Sequence, residues 1–434
     1  MRPRLPSGAD KKPMSYRFLG IGLAVTLWLL SVPFFLAASE THNSSAKWLT
    51  AQEAIRLGLS RPEVNRWMEG RIGVAQSEAT QAALWPNPQL QYQREETNTG
   101  GGASIDEFLW LTQKFDFSGR RGLQVNAAKQ RVQATRQEAE FRRLVLTTKI
   151  RQGFYQVLHQ WELLQNLEQW LERLGVIETV VQKREVAGEI SGYDRLRLTR
   201  EQAAVRAQMQ SEEAIHHRAW EHLLGILGAK EKKTVYRGVT GSLLPQSLPP
   251  LERLLQMLTY RPDLQSLEQQ ANAHALERQA AARGWIPDLT LSLGSKKGKD
   301  AFGSDAGPFF SAGINLPLFD RDQAKRDRAS ARLQVVRSEY QLALTEAQGA
   351  VRGRWQEVRQ LAAAAREVRR RDVAAARELV RTAKAAYEGG EIGILELLDA
   401  YREEMNTVTR ALELESRARQ AQIELERLAG EGLS

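Results

Sequence analysis

The chain has 434 residues, 42% of them apolar and 26% charged, a composition that suits a folded protein rather than a disordered one. Its formal net charge is +9 and it contains no cysteine. Much of the positive excess lies in the first 39 residues, so nucleic-acid binding explains it poorly. The missing cysteines exclude a disulfide framework and a thiolate metal site.

In chain order, Arg2, Arg4, Lys11, Lys12 and Arg17 precede an apolar run from Phe18 to Ala38. A basic segment, an apolar segment and small residues (Ala37, Ser39) follow the order of a secretory signal, with cleavage expected after Ser39. The run is also long enough to remain as an anchor, at about 20 residues. Either way the chain is exported. Removing residues 1–39 takes away five positive charges and one negative, leaving +5.

The rest of the chain is duplicated. Arg61-Pro62-Glu63-Val64 returns as Arg261-Pro262-Asp263-Leu264, Trp85 as Trp285, Gly188-Glu189-Ile190 as Gly390-Glu391-Ile392, and Arg200-Glu201 as Arg402-Glu403. Solenoid repeats recur every 20–50 residues or so. An offset of 200 to 202 instead implies two whole assemblies, over 40–240 and 241–434.

Each repeat opens with a short helix (about 50–60 and 248–260) that stops at Arg-Pro, because proline cannot continue it. A second helix (about 62–84 and 262–284) ends before Trp85-Pro86-Asn87-Pro88 or Trp285-Ile286-Pro287. Alternating stretches come next, Gln89-Leu90-Gln91-Tyr92-Gln93 and Leu289-Thr290-Leu291-Ser292-Leu293, which predict strands with one wet and one apolar face. Glycine-rich linkers are expected at 97–103 and 294–307, followed by Phe108-Leu109-Trp110-Leu111 and Phe309-Phe310-Ser311-Ala312. The result is two strand hairpins, about 88–117 and 288–317, with strands about 10 residues long, the length of a transmembrane β-strand.

Helical hairpins come after the strands, about 118–227 and 321–430. Ile150, Phe154, Val157, Trp161 and Leu164 step by four and three, as do Leu398, Tyr401, Met405, Val408 and Leu412, which is coiled-coil spacing. A helix of 65–70 residues is roughly 100 Å long. The breaks are expected at Gly188–Gly192 and Gly389–Gly393.

An open four-stranded sheet with an apolar face would aggregate through its edges, and bilayer insertion requires a closed barrel. Four strands cannot close one, so oligomerisation is implied. Three copies, with twelve strands, are the simplest solution. The competing reading is a soluble periplasmic coiled-coil adaptor or scaffold, which accounts for the helical hairpins but poorly for aromatic-flanked strand hairpins in both repeats.

The duplicated series, Trp85-Pro86-Asn87-Pro88 and the stretch Gly390-Glu391-Ile392-Gly393-Ile394-Leu395-Glu396-Leu397-Leu398-Asp399-Ala400 together resemble the TolC-like outer-membrane efflux proteins. The resemblance implies an α+β membrane protein: a trimeric twelve-stranded β-barrel, four strands per protomer, continued by an α-helical coiled-coil barrel across the periplasm. It implies a non-enzymatic conduit receiving cargo from an inner-membrane pump through a periplasmic adaptor. It also carries Glu396 and Asp399 over as pore-lining carboxylates, with glutamate at 396 where the family pattern has aspartate. Residues at i and i+3 share a helix face, and threefold symmetry turns each into a ring that favours cations. Asp194 aligns with Glu396, whereas Arg197 falls where Asp399 sits. A solvated helix face balanced by Arg402 is the plainer account of these acids.

The turns Gly188, Glu189, Ile190 and Gly390, Glu391, Ile392 would be hairpin tips that meet the adaptor by resemblance, or ordinary glycine turns by local chemistry. His42, His159, His216, His217, His222 and His274 make no metal-ligand spacing, and no phosphate loop or catalytic triad stands out, so no cofactor is expected. The proline-asparagine-proline run is similar to the metal-efflux branch of the family.

Overall fold

The computed structural model describes residues 47–99, 102–228 and 236–430. The expected signal at 1–39 and its cleavage site lie outside them. Strand β1 (Lys47–Leu49) pairs in parallel with β4 (Tyr236–Val239), a small sheet that no alternation in the sequence announced. Helix α1 (Ala51–Leu59) is capped by Thr50, whose hydroxyl accepts from the Glu53 N–H at 3.2 Å.

The duplicated Arg-Pro motif has one structural meaning in both places. Pro62 and Pro262 open helices α2 (Pro62–Ala83) and α6 (Pro262–Ala282), where the missing N–H costs nothing. The preceding arginines reach elsewhere. Arg61 donates to the Ile226 carbonyl (2.9 Å) and Arg261 to the Leu428 carbonyl (3.2 Å), at the ends of the two return helices α4 (Gly192–Leu227) and α9 (Ile394–Ala429). Each satisfies a terminal carbonyl and sits at the negative end of the helix dipole. Helices α5 (Leu251–Met257) and α1 stand at the start of their respective repeats.

The long sheet runs β2 (Gln89–Thr99), β3 (Gly102–Phe115), β5 (Asp288–Asp300) and β6 (Gly303–Asn315), antiparallel throughout and in that order. Its strands exceed the expected length, because the segments read as glycine-rich linkers continue the ladder almost to the turns: Gly298 opposes both Asp106 and Asp305. Glycine weakens a strand but does not end one whose neighbours pair on both sides. The register defines two faces, one mainly apolar and one mainly polar. Leu90, Tyr92, Leu109, Leu111, Leu293, Phe310 and Ile314 share one exposed face. Gln91, Gln93, Asp106, Thr112, Ser292, Lys296 and Ser311 share the other.

Below the sheet, α3 (Arg120–Val186) is one continuous 67-residue helix. Its partner in the second repeat is not continuous: α7 (Gln323–Glu367) passes through a π-helical segment, Val368–Asp372, into α8 (Val373–Gly389). Helices α3 and α7 both start from a left-handed residue, Gly119 (φ 70°) and Asp322 (φ 60°). Arg120 ties that junction by bonding Asp288 at 2.7 Å and Asp322 at 3.5 Å. The apolar core lies along the hairpins, with Ile150, Phe154, Val157 and Leu223 near the first return-helix end and Leu174, Leu198, Leu397 and Tyr401 near the tips. Among the described residues no helix is long and apolar enough to cross a membrane.

Candidate functional site

Both hairpins end in the same local structure. After α3, Gly188 (φ 76°) lets the Glu189 N–H bond the Arg184 carbonyl (2.9 Å) and its own N–H bond Glu185 (3.0 Å). After α8, Gly390 (φ 77°) places the Glu391 N–H on Ala386 (2.9 Å) and its own on Tyr387 (3.1 Å). This paired closure needs a left-handed residue, which is why glycine recurs there. Ile190 and Ile392 then fold back, half-buried against the core cluster that includes Leu174, Leu198, Tyr387 and Leu397. Of the six tip residues named from the sequence, the glycines and glutamates are exposed and the isoleucines face inward.

One arginine joins the two tips. Arg184 donates to the carbonyls of Tyr387 (2.9 Å) and Glu388 (2.7 Å), lies 5.0 Å over the Tyr387 ring and sits 3.7 Å from Glu189. It therefore caps the C-terminus of α8 from the other repeat, where a cation is favoured. Nothing in the turn motif marks this role. Sequence reasoning also missed the exposed apolar residues at the tips: Val186 is 91% exposed, and Tyr193, Leu196 and Leu395 are open as well.

The three candidate carboxylates fall into two kinds. Asp194 and Glu396 occupy the first turns of α4 and α9, where negative charge offsets the dipole. Asp194 is half-buried and accepts from the Ser191 hydroxyl at 3.5 Å, and its place in the first turn of α4 accounts for it. Glu396 is exposed beside Gly393.

Asp399 is a turn further on, outside the capping positions, with 64% of its side chain exposed. Arg402 donates to it at 2.9 Å and also grips Glu201 of α4 through two bonds, 3.0 and 2.5 Å. The balancing arginine foreseen from the sequence is real, but it serves two acids. The group of three keeps one net negative charge. Between Gly389 and Arg402 the charged residues are Glu391, Glu396, Asp399 and Arg402, a net of two negative; over 188–201 three acids meet three arginines. The acidity at this end belongs to the second hairpin alone.

A four-stranded sheet that is apolar on one face and polar on the other, carried on paired helices far longer than a globular core requires, is one third of a membrane channel. The comparisons with known proteins agree. The model of the outer membrane efflux protein family matches residues 254–431. The cobalt-zinc-cadmium resistance protein CzcC of Cupriavidus metallidurans is 24% identical over 429 residues, covering 95% of this chain and 99% of that one. Among solved structures, CusC superposes with a TM-score of 0.71 at 20% identity, over 88% of this chain and 92% of the other. The outer membrane protein VceC of Vibrio cholerae gives 0.70 at 20% identity, over 88% and 97%.

Along nearly its whole length the chain is similar to the TolC-like outer-membrane efflux proteins. It is the outer-membrane channel of a tripartite efflux system: a trimer whose twelve strands close one barrel above a helical conduit, working with a periplasmic adaptor and an inner-membrane pump. It is a transport protein, not an enzyme.

Proposed function

We propose that Asp399, tripled by the channel's symmetry, forms the charged part of the periplasmic constriction, with Glu396 beside it and Asp194 as a supporting acid in the first turn of α4. The observation that carries this reading is the shared arginine. Because Arg402 is held bidentately by Glu201, it positions the Asp399 carboxylate without cancelling it. Three such groups around one axis favour cations and oppose anions.

Metal cations are the cargo this constriction suits. CzcC, by name a cobalt-zinc-cadmium resistance protein, spans nearly the whole chain, which supports the same reading. The adaptor would meet the exposed tip residues, Val186, Glu189, Leu196 and Glu391, while Ile190 and Ile392 hold the turns from inside.

The test is the reversal potential of single channels in a salt gradient. Asp399→Ala should weaken cation selectivity more than Glu396→Ala, and Asp194→Ala should leave selectivity alone. Unchanged selectivity in all three variants would remove the constriction from this site while leaving the channel intact.

A further inference from the structure

The polar face of the sheet is interrupted by three aromatic rings. Phe108, Trp110 and Phe309 belong to the same face as Gln93, Asp106, Thr112, Ser292 and Lys296, opposite the face of exposed leucines. An outer-membrane barrel turns its apolar band to lipid and its polar face to the lumen. These rings therefore line the water-filled path.

They are packed as a unit. Phe108 stands edge-on to Trp110 (centroids 6.3 Å) and to Phe309 (5.8 Å), and Trp110 meets Phe309 at 5.5 Å. The neighbouring strand makes room for them, since a Cβ on Gly294 would come within 2.6 Å of Trp110 Cβ. Above the rings, Lys296 lies 5.0 Å over the Phe108 ring and pairs with Asp106 at 3.1 Å. Below them, the hydroxyls of Thr112 and Ser292 are 2.9 Å apart.

Covering a glycine would need one ring. Three mutually packed rings, each only half-buried, leave aromatic surface facing the lumen. A barrel of twelve strands is wider than the eight or so that side chains alone can fill. So the three clusters of a trimer stand around an aqueous bore, roughly mid-barrel.

We propose that Phe108, Trp110 and Phe309 form a lumenal stacking site for planar aromatic organic cations, which gives the channel a second class of cargo beside metal ions. Flat π-systems stack on Trp and Phe without needing a sequence of hydrogen bonds. Indole is the best of the ring types for attracting a cation, and Lys296 over Phe108 shows that this cluster takes one. Hydrated metal ions have no face to stack. The proposal rests on the channel reading but not on the acidic constriction.

The measurement is single-channel recording on the trimer with the planar aromatic cation proflavine in the bath, and tetraethylammonium as a cation without rings. Proflavine should cause blockades with dwell times about tenfold longer than tetraethylammonium, falling about tenfold in Trp110→Leu. Asp399→Ala should leave those dwell times unchanged. Where Trp110→Leu yields no heat-modifiable trimer, Phe309→Leu, which keeps Trp110 over Gly294, carries the comparison. Proflavine dwell times that are the same in the ring variants as in the parent, or that collapse in Asp399→Ala, overturn the site. An absence of any current would instead break the channel reading.

Discussion

The return helices α4 and α9 are both 36 residues long and hold equivalent places in the two repeats, yet they are fastened differently. On α9 three buried glutamates, Glu404, Glu415 and Glu426, recur every 11 residues. Eleven residues are close to three helical turns, so the three lie in one row. At the α4 positions 202 residues earlier stand Gln202, Glu213 and Leu224: a buried amide bonded to Glu178 (3.0 Å), an exposed acid and a core leucine. The row on α9 faces α3. Arg173 meets Glu404 at 2.5 Å and Arg151 pairs with Glu426, the two arginines being 22 residues apart like the two acids.

The middle rung breaks the pattern. Position 162 of α3 faces Glu415, and it is a glutamate. Burial, and then the Glu415 charge, push the Glu162 carboxyl above its ordinary range, with Arg369 opposing. Arg369 bonds both oxygens of Glu415 at 2.7 Å, and it comes from the π-helical segment that interrupts the second long helix. A π turn inserts a residue into the helical register and re-aims the side chains beside it. The comparison teaches that a duplicated helix pair can keep its shape while one copy trades apolar packing for a charge ladder. One irregular turn then supplies the counter-charge that the ladder lacks.

The sharpest way to break this account is Arg369→Ala, which leaves Glu415, 3% exposed, facing a second acid. A loss of about 3–5 kcal/mol is expected from stranding a buried charge, read as a lower denaturant midpoint for the trimer. Glu162→Arg added to Arg369→Ala places the missing cation on α3 and should recover most of that loss. No recovery would mean that Arg369 acts through the π turn itself. Arg173→Ala should cost only about 1 kcal/mol, because Arg173 is half exposed and Arg377 also stands 3.7 Å from Glu404.

The smallest effect is Glu162→Gln. A carboxyl raised in the folded state destabilises the fold once ionised, so stability falls as pH rises through its raised range. The variant should be slightly more stable than the parent at neutral pH and equal to it below the ordinary carboxylate range. A variant less stable at neutral pH would show that Glu162 is a partner of Arg369 rather than a competitor of Glu415.

Much of the candidate site was legible because its chemistry is local. Gly188 and Gly390 announce their turns through a left-handed backbone that few other residues adopt. Asp399 was legible only by resemblance. The arginine it shares, Arg402, is gripped by Glu201, a contact between residues 201 apart. The capping of α8 by Arg184 spans a similar distance, and the two outer rungs of the α9 ladder, which reach α3, span still more. The 11-residue spacing of Glu404, Glu415 and Glu426 was visible, but not their burial, since acids at helical spacing more often mark a wet face.

The glycine-rich stretches misled for the converse reason. Glycine's intrinsic preference ends strands, and only pairing on both sides of β3 and β5 carries Gly294 and Gly298 through the ladder. Periodicity, turns, the duplication and the strand alternation were thus determined by the sequence alone, because each depends on residues within a few positions of one another. The tertiary structure alone decided which charges meet, which acids are buried and which rings share the polar face of the sheet, because those depend on register between segments that only folding brings together.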